Sequence, residues 1–275
     1  MVPTPVLVAA AASGLAVVAV TVVAERVGGR LGGLLSTAPV TTTAAFLHLA
    51  GSGDLVPKVA TGGLSLLAAI AAMPLFVLTV AWTGRWPARA RVAAALFAYV
   101  AGFTAGTALL QRVTPPAWAG WGYAAAVAVV AMLRLVLPAD APAAIPKTRL
   151  TWLEGLARFA AGAAVILLVH AAGATDPVLG AAWAVFPGTF LVSIGVMGFA
   201  HGPAFGARAV RAAVQGGVPL AAFLLVYMGL LMLSSTPWWP VLAMVPAWGA
   251  YFGTLLVLEA RAPPAAQSVP GRSTL

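Results

Sequence analysis

With 275 residues, 62% of them hydrophobic and only 8% charged, and a mean hydropathy of +1.01, the chain has too few charges to coat a water-exposed surface. It reads as an integral membrane protein; the absence of cysteine excludes disulfides, thiolate metal sites and a cysteine nucleophile. The net charge of +9 is dispersed over short loops, with no run and no aromatic-interleaved patch, which argues against a nucleic-acid partner.

Crossing a hydrocarbon core of about 30 Å takes roughly 20 mainly apolar residues. Nine segments qualify: Val6–Ala24, Leu31–Ala50, Ala60–Trp82, Val92–Leu110, Trp118–Val136, Trp152–Ala171, Val178–Ala200, Ala209–Leu233 and Val241–Leu258. Met1–Ser13 holds no Lys or Arg and the apolar run continues to Ala24, which predicts a span and not a secretory signal. Turn residues punctuate the breaks, as in Gly51-Ser52-Gly53-Asp54, Gly84-Arg85-Trp86-Pro87, Thr114-Pro115-Pro116 and Ser234-Ser235-Thr236-Pro237. Nine spans put Arg26, Arg30, Arg85, Arg89, Arg91, Arg134, Lys147, Arg149, Arg208, Arg211, Arg261 and Arg272 on one side, with the C-terminus. Only Lys58 and Arg112 fall on the other, and Arg158 lies about two turns into the sixth span. The positive-inside rule then predicts an outside N-terminus and a cytoplasmic C-terminus.

Leu31, Gly32, Pro39 and Thr41 align with Leu179, Gly180, Pro187 and Thr189 at a constant offset of 148 residues. Downstream, Gly62-Gly63 with Leu66 and Ala68 matches Gly216-Gly217 with Leu220 and Ala222 at an offset of 154. Trp86-Pro87 then matches Trp239-Pro240, and Ala98-Tyr99 matches Ala250-Tyr251. The expected fold is all-α: nine transmembrane helices as two four-helix repeats plus a linking helix. Four crossings and one link make the second repeat enter from the opposite face, so the repeats are inverted, an architecture common among secondary transporters. The corresponding division is 1–112 for the first repeat, 113–150 for the connecting helix and cytoplasmic loop, 151–260 for the second repeat and 261–275 for a disordered cytoplasmic tail.

Pro39 and Pro187 fall near mid-span, where each removes an N–H donor and frees a carbonyl at membrane depth. Ser36, Thr37, Thr41, Thr42 and Thr43 surround the first; Gly188, Thr189 and Ser193 follow the second. Broken helices of this kind offer half-helix N-termini to anions and freed carbonyls to cations; the bland alternative is a pair of kinks capped by the neighbouring hydroxyls. The Gly62-Gly63 and Gly216-Gly217 pairs read as close helix packing, and Gln215 beside the second pair is a candidate cavity residue. Glu154 and Arg158, four apart on one helix face, suit an ion pair worth roughly a few tenths of a kcal/mol, with a proton relay as the functional alternative. His48 with Asp54 and His170 with Asp176 offer an outward metal or proton site, but their spacing matches no ligand motif and surface histidines are expected.

The block Ala184-Val185-Phe186-Pro187-Gly188-Thr189-Phe190, followed by Arg211-Ala212-Ala213-Val214-Gln215-Gly216-Gly217-Val218-Pro219, resembles the GlpM-like family of small four-helix inner-membrane proteins. The first repeat keeps the block as Thr37-Ala38-Pro39-Val40-Thr41 but has Ser65 where Pro219 would fall. The resemblance implies a duplicated copy of that unit; it brings no catalytic residue, substrate or cofactor.

No His-Glu-x-x-His, Gly-x-Ser-x-Gly or phosphate-cradling glycine loop is present, so an enzyme is not expected and no cofactor is implied; the lesser alternative, an intramembrane enzyme, needs two or more of Glu25, His48, Glu154 and His170 to converge in space. The reading is a multi-pass protein of a bacterial inner membrane, a permease for an unidentified small solute or ion with its site between the second and seventh spans. The scarcity of deep charge favours a solute that is neutral or bound mainly by backbone dipoles. The alternative is a non-transporting membrane subunit or accessory protein for envelope or exopolysaccharide processes, and a homo-oligomer or membrane-complex partner fits either.

Overall fold

In lipid every backbone N–H and C=O must be satisfied within its own segment, so an apolar chain without a closed barrel folds as helices. The computed structural model describes residues 2–27, 34–35, 37–51, 54–136, 151–185, 188–234 and 236–260. Ten α-helices are among them: α1 (Thr4–Val27), α2 (Val40–Ala50), α3 (Val56–Trp82), α4 (Ala88–Val113), α5 (Gly122–Val136), α6 (Trp152–Thr175), α7 (Pro177–Ala184), α8 (Gly188–His201), α9 (Pro203–Leu231) and α10 (Trp239–Ala260). A 3-10 turn, Pro116–Trp121, precedes α5. The expected loop around Lys147 and the tail 261–275 lie outside the described residues, as do Leu31, Gly32, Ser36 and Pro187.

Six helices, α1, α3, α4, α6, α9 and α10, are long and apolar enough to cross a bilayer, and the protein is a multi-pass membrane protein. The other three expected spans are not single long helices. Among the described residues the second is helical at 34–35, leaves the helix at 37–39 and is helical again from Val40 as α2, and the seventh is divided into α7 and α8. The fifth is shortened at its start, where Pro115-Pro116 and two nearby glycines favour a 3-10 turn over a full α-helical turn.

Lipid supplies no hydrophobic drive between helices, so close crossings depend on small residues. α1 packs along α6, α3 along α4 and α9 along α10, while α3 and α9 contact each other and both contact α5. Where α1 meets α6, a Cβ on Gly162 would lie 3.1 Å from the Gly14 Cα, and Ser13 Oγ donates to the Gly162 carbonyl at 2.9 Å. Where α6 meets α7, a Cβ on Gly180 would lie 2.6 Å from the Gly173 Cα. The turn between α8 and α9 passes through Gly202 at φ 92°, a left-handed value that suits glycine.

The centre is filled by aromatic side chains, with Tyr99, Tyr123, Tyr227, Tyr251, Phe46, Phe76, Phe103, Phe190 and Phe223 all fully buried. Large apolar side chains such as Leu15, Leu78, Phe97 and Leu256 point outward, as a lipid-facing surface requires. Trp82, Trp86, Trp118, Trp121, Trp152 and Trp238 are exposed at helix ends, in keeping with an interfacial aromatic belt.

Candidate functional site

A helix that starts inside the membrane leaves its first backbone N–H groups without intrahelical partners. Two such starts meet at the centre of this bundle. α2 begins at Val40 because Pro39 cannot extend a helix through its own missing N–H, and α8 begins at Gly188, just after the position of Pro187. Thr41 Cγ2 lies 3.3 Å from where a Cβ of Gly188 would sit, so the two starts are adjacent. From there the helices diverge. Leu49, near the far end of α2, approaches Gly173 at the end of α6, whereas Gly195 and Gly198 of α8 lie against Leu96 and Val92 at the arginine-rich start of α4. The positive ends of two helix dipoles therefore face one another, a field that favours an electronegative group between them.

Hydroxyls crowd the junction. Thr37, Thr41, Thr42, Thr189 and Ser193 are all buried, as are Ser65 on α3 and Gln215 on α9. At the first interruption they do capping work. Thr37 Oγ1 donates to the Leu34 carbonyl at 2.7 Å and contacts the Gly216 carbonyl at 3.2 Å, and Tyr251 donates from α10 to the same Leu34 carbonyl at 3.1 Å. The Leu34 carbonyl is thus satisfied within the protein, and the Leu35 carbonyl, which the missing Pro39 N–H would have bonded, accepts from the Ala38 N–H at 2.9 Å. Removing one donor to the Leu34 carbonyl with Tyr251→Phe is expected to cost about 1 kcal/mol, read as a lowered melting temperature of the purified protein in detergent.

The second interruption differs. Ser193 Oγ donates to the Thr189 carbonyl at 2.8 Å, but Thr189 Oγ1 is buried without a hydrogen-bond partner among the described residues. Ser65 Oγ is in the same position. It lies three residues after Gly62 on α3, hence on the same helix face, and a Cβ on Gly62 would lie 2.6 Å from Val185 Cγ2 beside the second interruption. Buried hydroxyls usually find partners; those of Thr107 and Tyr227 also have none among the described residues, so what sets Thr189 and Ser65 apart is their place beside the second interruption. In the sequence Ser65 stands out only as the residue where Pro219 would fall; its burial depends on which helices cross and has no local signal.

Of the remaining candidates, Thr43 is half-buried and accepts from Trp248 Nε1 at 3.2 Å. It borders a groove of about 830 Å³ between α1, α2 and α10 whose lining includes Ser13, Val40, Leu47 and His48. Gln215 precedes Gly216, whose Cβ would lie 2.6 Å from Thr37 Cγ2, so it sits beside the first interruption. Glu154 closes a capping box with Thr151, accepting from the Thr151 N–H at 3.0 Å while Thr151 Oγ1 accepts from the Glu154 N–H at 3.3 Å. Arg158 is buried on α6 and donates from Nη1 to Thr21 Oγ1 on α1 at 3.1 Å, seven residues before Val165, which packs against Gly188 at the junction. Ser36 and Pro187 lie outside the described residues.

The histidines depart from expectation. His48 and His170 are half-buried, not free on the surface, and His170 Nδ1 lies 3.3 Å from His48 Nε2. No group of three or more His, Asp or Glu side chains among the described residues is arranged to hold a metal ion.

No family model matches the chain, no curated protein matches it, and no solved structure matches it.

Proposed function

We propose that the protein is a secondary permease for a small solute bearing an electronegative or anionic group, which binds where α2 and α8 begin. One observation carries the reading: two helix N-termini meet head to head inside the membrane-embedded bundle, beside the buried hydroxyl of Thr189, which has no hydrogen-bond partner among the described residues. An inverted pair of four-helix repeats accounts for the arrangement. Its support lies in matched contacts: Gly62 packs against Val185 and Gly216 against Thr37, residues that exchange places under the two alignment offsets. Gly14 and Gly162, themselves separated by 148 residues, meet at the α1–α6 crossing as a pair on a pseudo-two-fold axis should. A nine-crossing path, with interrupted second and seventh spans and the N-terminus outside a bacterial inner membrane, follows from this reading. The resemblance to GlpM-like proteins enters only as a proposed origin of the repeated unit.

The test is uptake by proteoliposomes of radiolabelled chloride, nitrate and acetate. Wild type is expected to move at least one of them. Thr41→Val, Thr42→Val and Thr189→Val keep side-chain shape while removing the hydroxyl, and each is expected to reduce that flux about tenfold with folding intact, the loss of roughly one hydrogen bond to a charged group. Unchanged flux in all three variants would reject the site. A wild type that moves none of the solutes and co-purifies with other membrane components would favour the accessory-subunit alternative. Because the chain has no cysteine, single cysteines introduced near either end report their side of the membrane by impermeant labelling.

A further inference from the structure

We infer that His48 and His170 together bind one proton and that this proton is the coupling ion of the proposed transport cycle; the coupling role rests on the permease reading, the proton site does not. The two ring nitrogens are 3.3 Å apart, the ring centroids 5.3 Å apart and the planes inclined at 63°. Two imidazole nitrogens at that distance share one hydrogen, so in the neutral pair one ring donates and the other accepts. A proton taken from water converts one ring to imidazolium, whose N–H donates to the neutral partner in a charge-assisted bond roughly twice as strong as the neutral one. A second proton leaves two donors and two positive charges facing each other with no acceptor between them. The pair therefore takes up a single proton.

The surroundings contain few other charges. On α2 and the segment after it lie Asp54, which accepts from the Val56 N–H at 3.0 Å, and Lys58 on α3, whose Nζ donates to the Leu49 carbonyl at 3.2 Å. Asp176 follows the end of α6. Of the other helices that contact α2 or α6, α7 has no titratable residue, α1 carries Glu25 and Arg26 and α8 carries His201 at ends remote from the pair, and α10 carries Glu259 at its far end and Tyr251 at mid-helix, where it donates to the Leu34 carbonyl.

Coupling follows from what the two helices carry. His48 is seven residues from Thr41 on one short rigid helix, about 10 Å along its axis. His170 is on α6, whose Val165 lies against Gly188 at the same junction. A change in the bond between the histidines therefore bears on α2 and α6 where both meet the solute site, and His48, half-buried near the end of α2, borders the groove of about 830 Å³ between α1, α2 and α10.

The chain has three histidines, so the full-length protein carrying ¹⁵N-labelled histidine in lipid nanodiscs gives three resolvable imidazoles. Titration from about pH 4 to pH 9 spans the range over which imidazole changes charge. His48 and His170 are expected to titrate in one shared single-proton step, and His48→Gln to return His170 to an independent curve. Independent titration of the two rings in wild type, or a His170 curve unmoved by His48→Gln, overturns the proton site. In proteoliposomes under an imposed pH gradient, His48→Gln and His170→Gln are expected to reduce accumulation of the transported anion (chloride, nitrate or acetate) about tenfold while exchange at equal pH persists. Equal accumulation by wild type and both variants overturns the coupling role. A wild type that moves no solute removes that role together with the permease reading, and leaves the proton site to be decided by the titration alone.

Discussion

Gly122→Ala prevents α5 from seating on α3. A Cβ there would lie 2.6 Å from the Leu64 nitrogen and 2.7 Å from the Gly63 carbonyl oxygen, closer than side-chain carbons approach other atoms. The obstruction is backbone, so no rotamer change relieves it, and the helices must separate. α5 also packs on α9 and holds Tyr123, whose hydroxyl donates to the Val59 carbonyl, so separation at Gly122 strips contacts from the centre of the bundle. Overpacking a core costs about 1–3 kcal/mol when side chains can yield; here the upper end of that range, about 3 kcal/mol, is the floor. The expected result in detergent is loss of the monodisperse peak or a sharply lowered melting temperature. Gly229→Ala and Gly253→Ala are matched controls, since nothing lies within 4 Å of a Cβ at either position, and both should melt like wild type. A Gly122→Ala protein that melts with the controls would mean that the α3–α5 crossing is looser than described.

The parts of this molecule legible in its sequence are those set by local chemistry. Long apolar runs specify the six full-length helices, and Pro39 specifies an interruption whatever surrounds it. The Thr151-x-x-Glu154 spacing is also local and specifies a capping box at the start of α6, which competes for Glu154 with the Glu154–Arg158 spacing. What was not legible depends on which helices cross. His48 and His170 are 122 residues apart, and Tyr251 reaches Leu34 across 217 residues. Pairing residues at such separations is a property of the assembled bundle, because in a uniformly apolar chain many helix pairings satisfy the same periodicity. Nor could composition tell which hydroxyls would be capped. Thr37 and Thr189 look alike as residues beside a proline, yet one bonds two carbonyls and the other has no partner among the described residues.

Gly216→Ala and Gly62→Ala test whether the halves are equivalent, because each is expected to damage the interruption in the opposite half. A methyl on Gly216 would lie 2.6 Å from Thr37 Cγ2 and would also meet Oγ1, so Thr37 must rotate and release its bonds to the Leu34 and Gly216 carbonyls. Steric strain of about 1–3 kcal/mol and about 1 kcal/mol of hydrogen bonding are lost together. Thr37→Ala removes both the obstruction and the bonds, so the double variant should be less destabilised than the sum of the singles by about 1–2 kcal/mol, as expected for residues in contact. In the other half a methyl on Gly62 would lie 2.6 Å from Val185 Cγ2, and Val185→Ala should relieve it in the same way. The second rescue should be less complete, since that methyl would also sit 3.2 Å from the Tyr123 hydroxyl, a contact that Val185→Ala leaves in place. Two cycles with coupling of the same sign and similar size are what inverted repeats require. Coupling at Gly216–Thr37 with none at Gly62–Val185 would mean that the two interruptions are held by unrelated packing, and the permease reading would lose its symmetry argument.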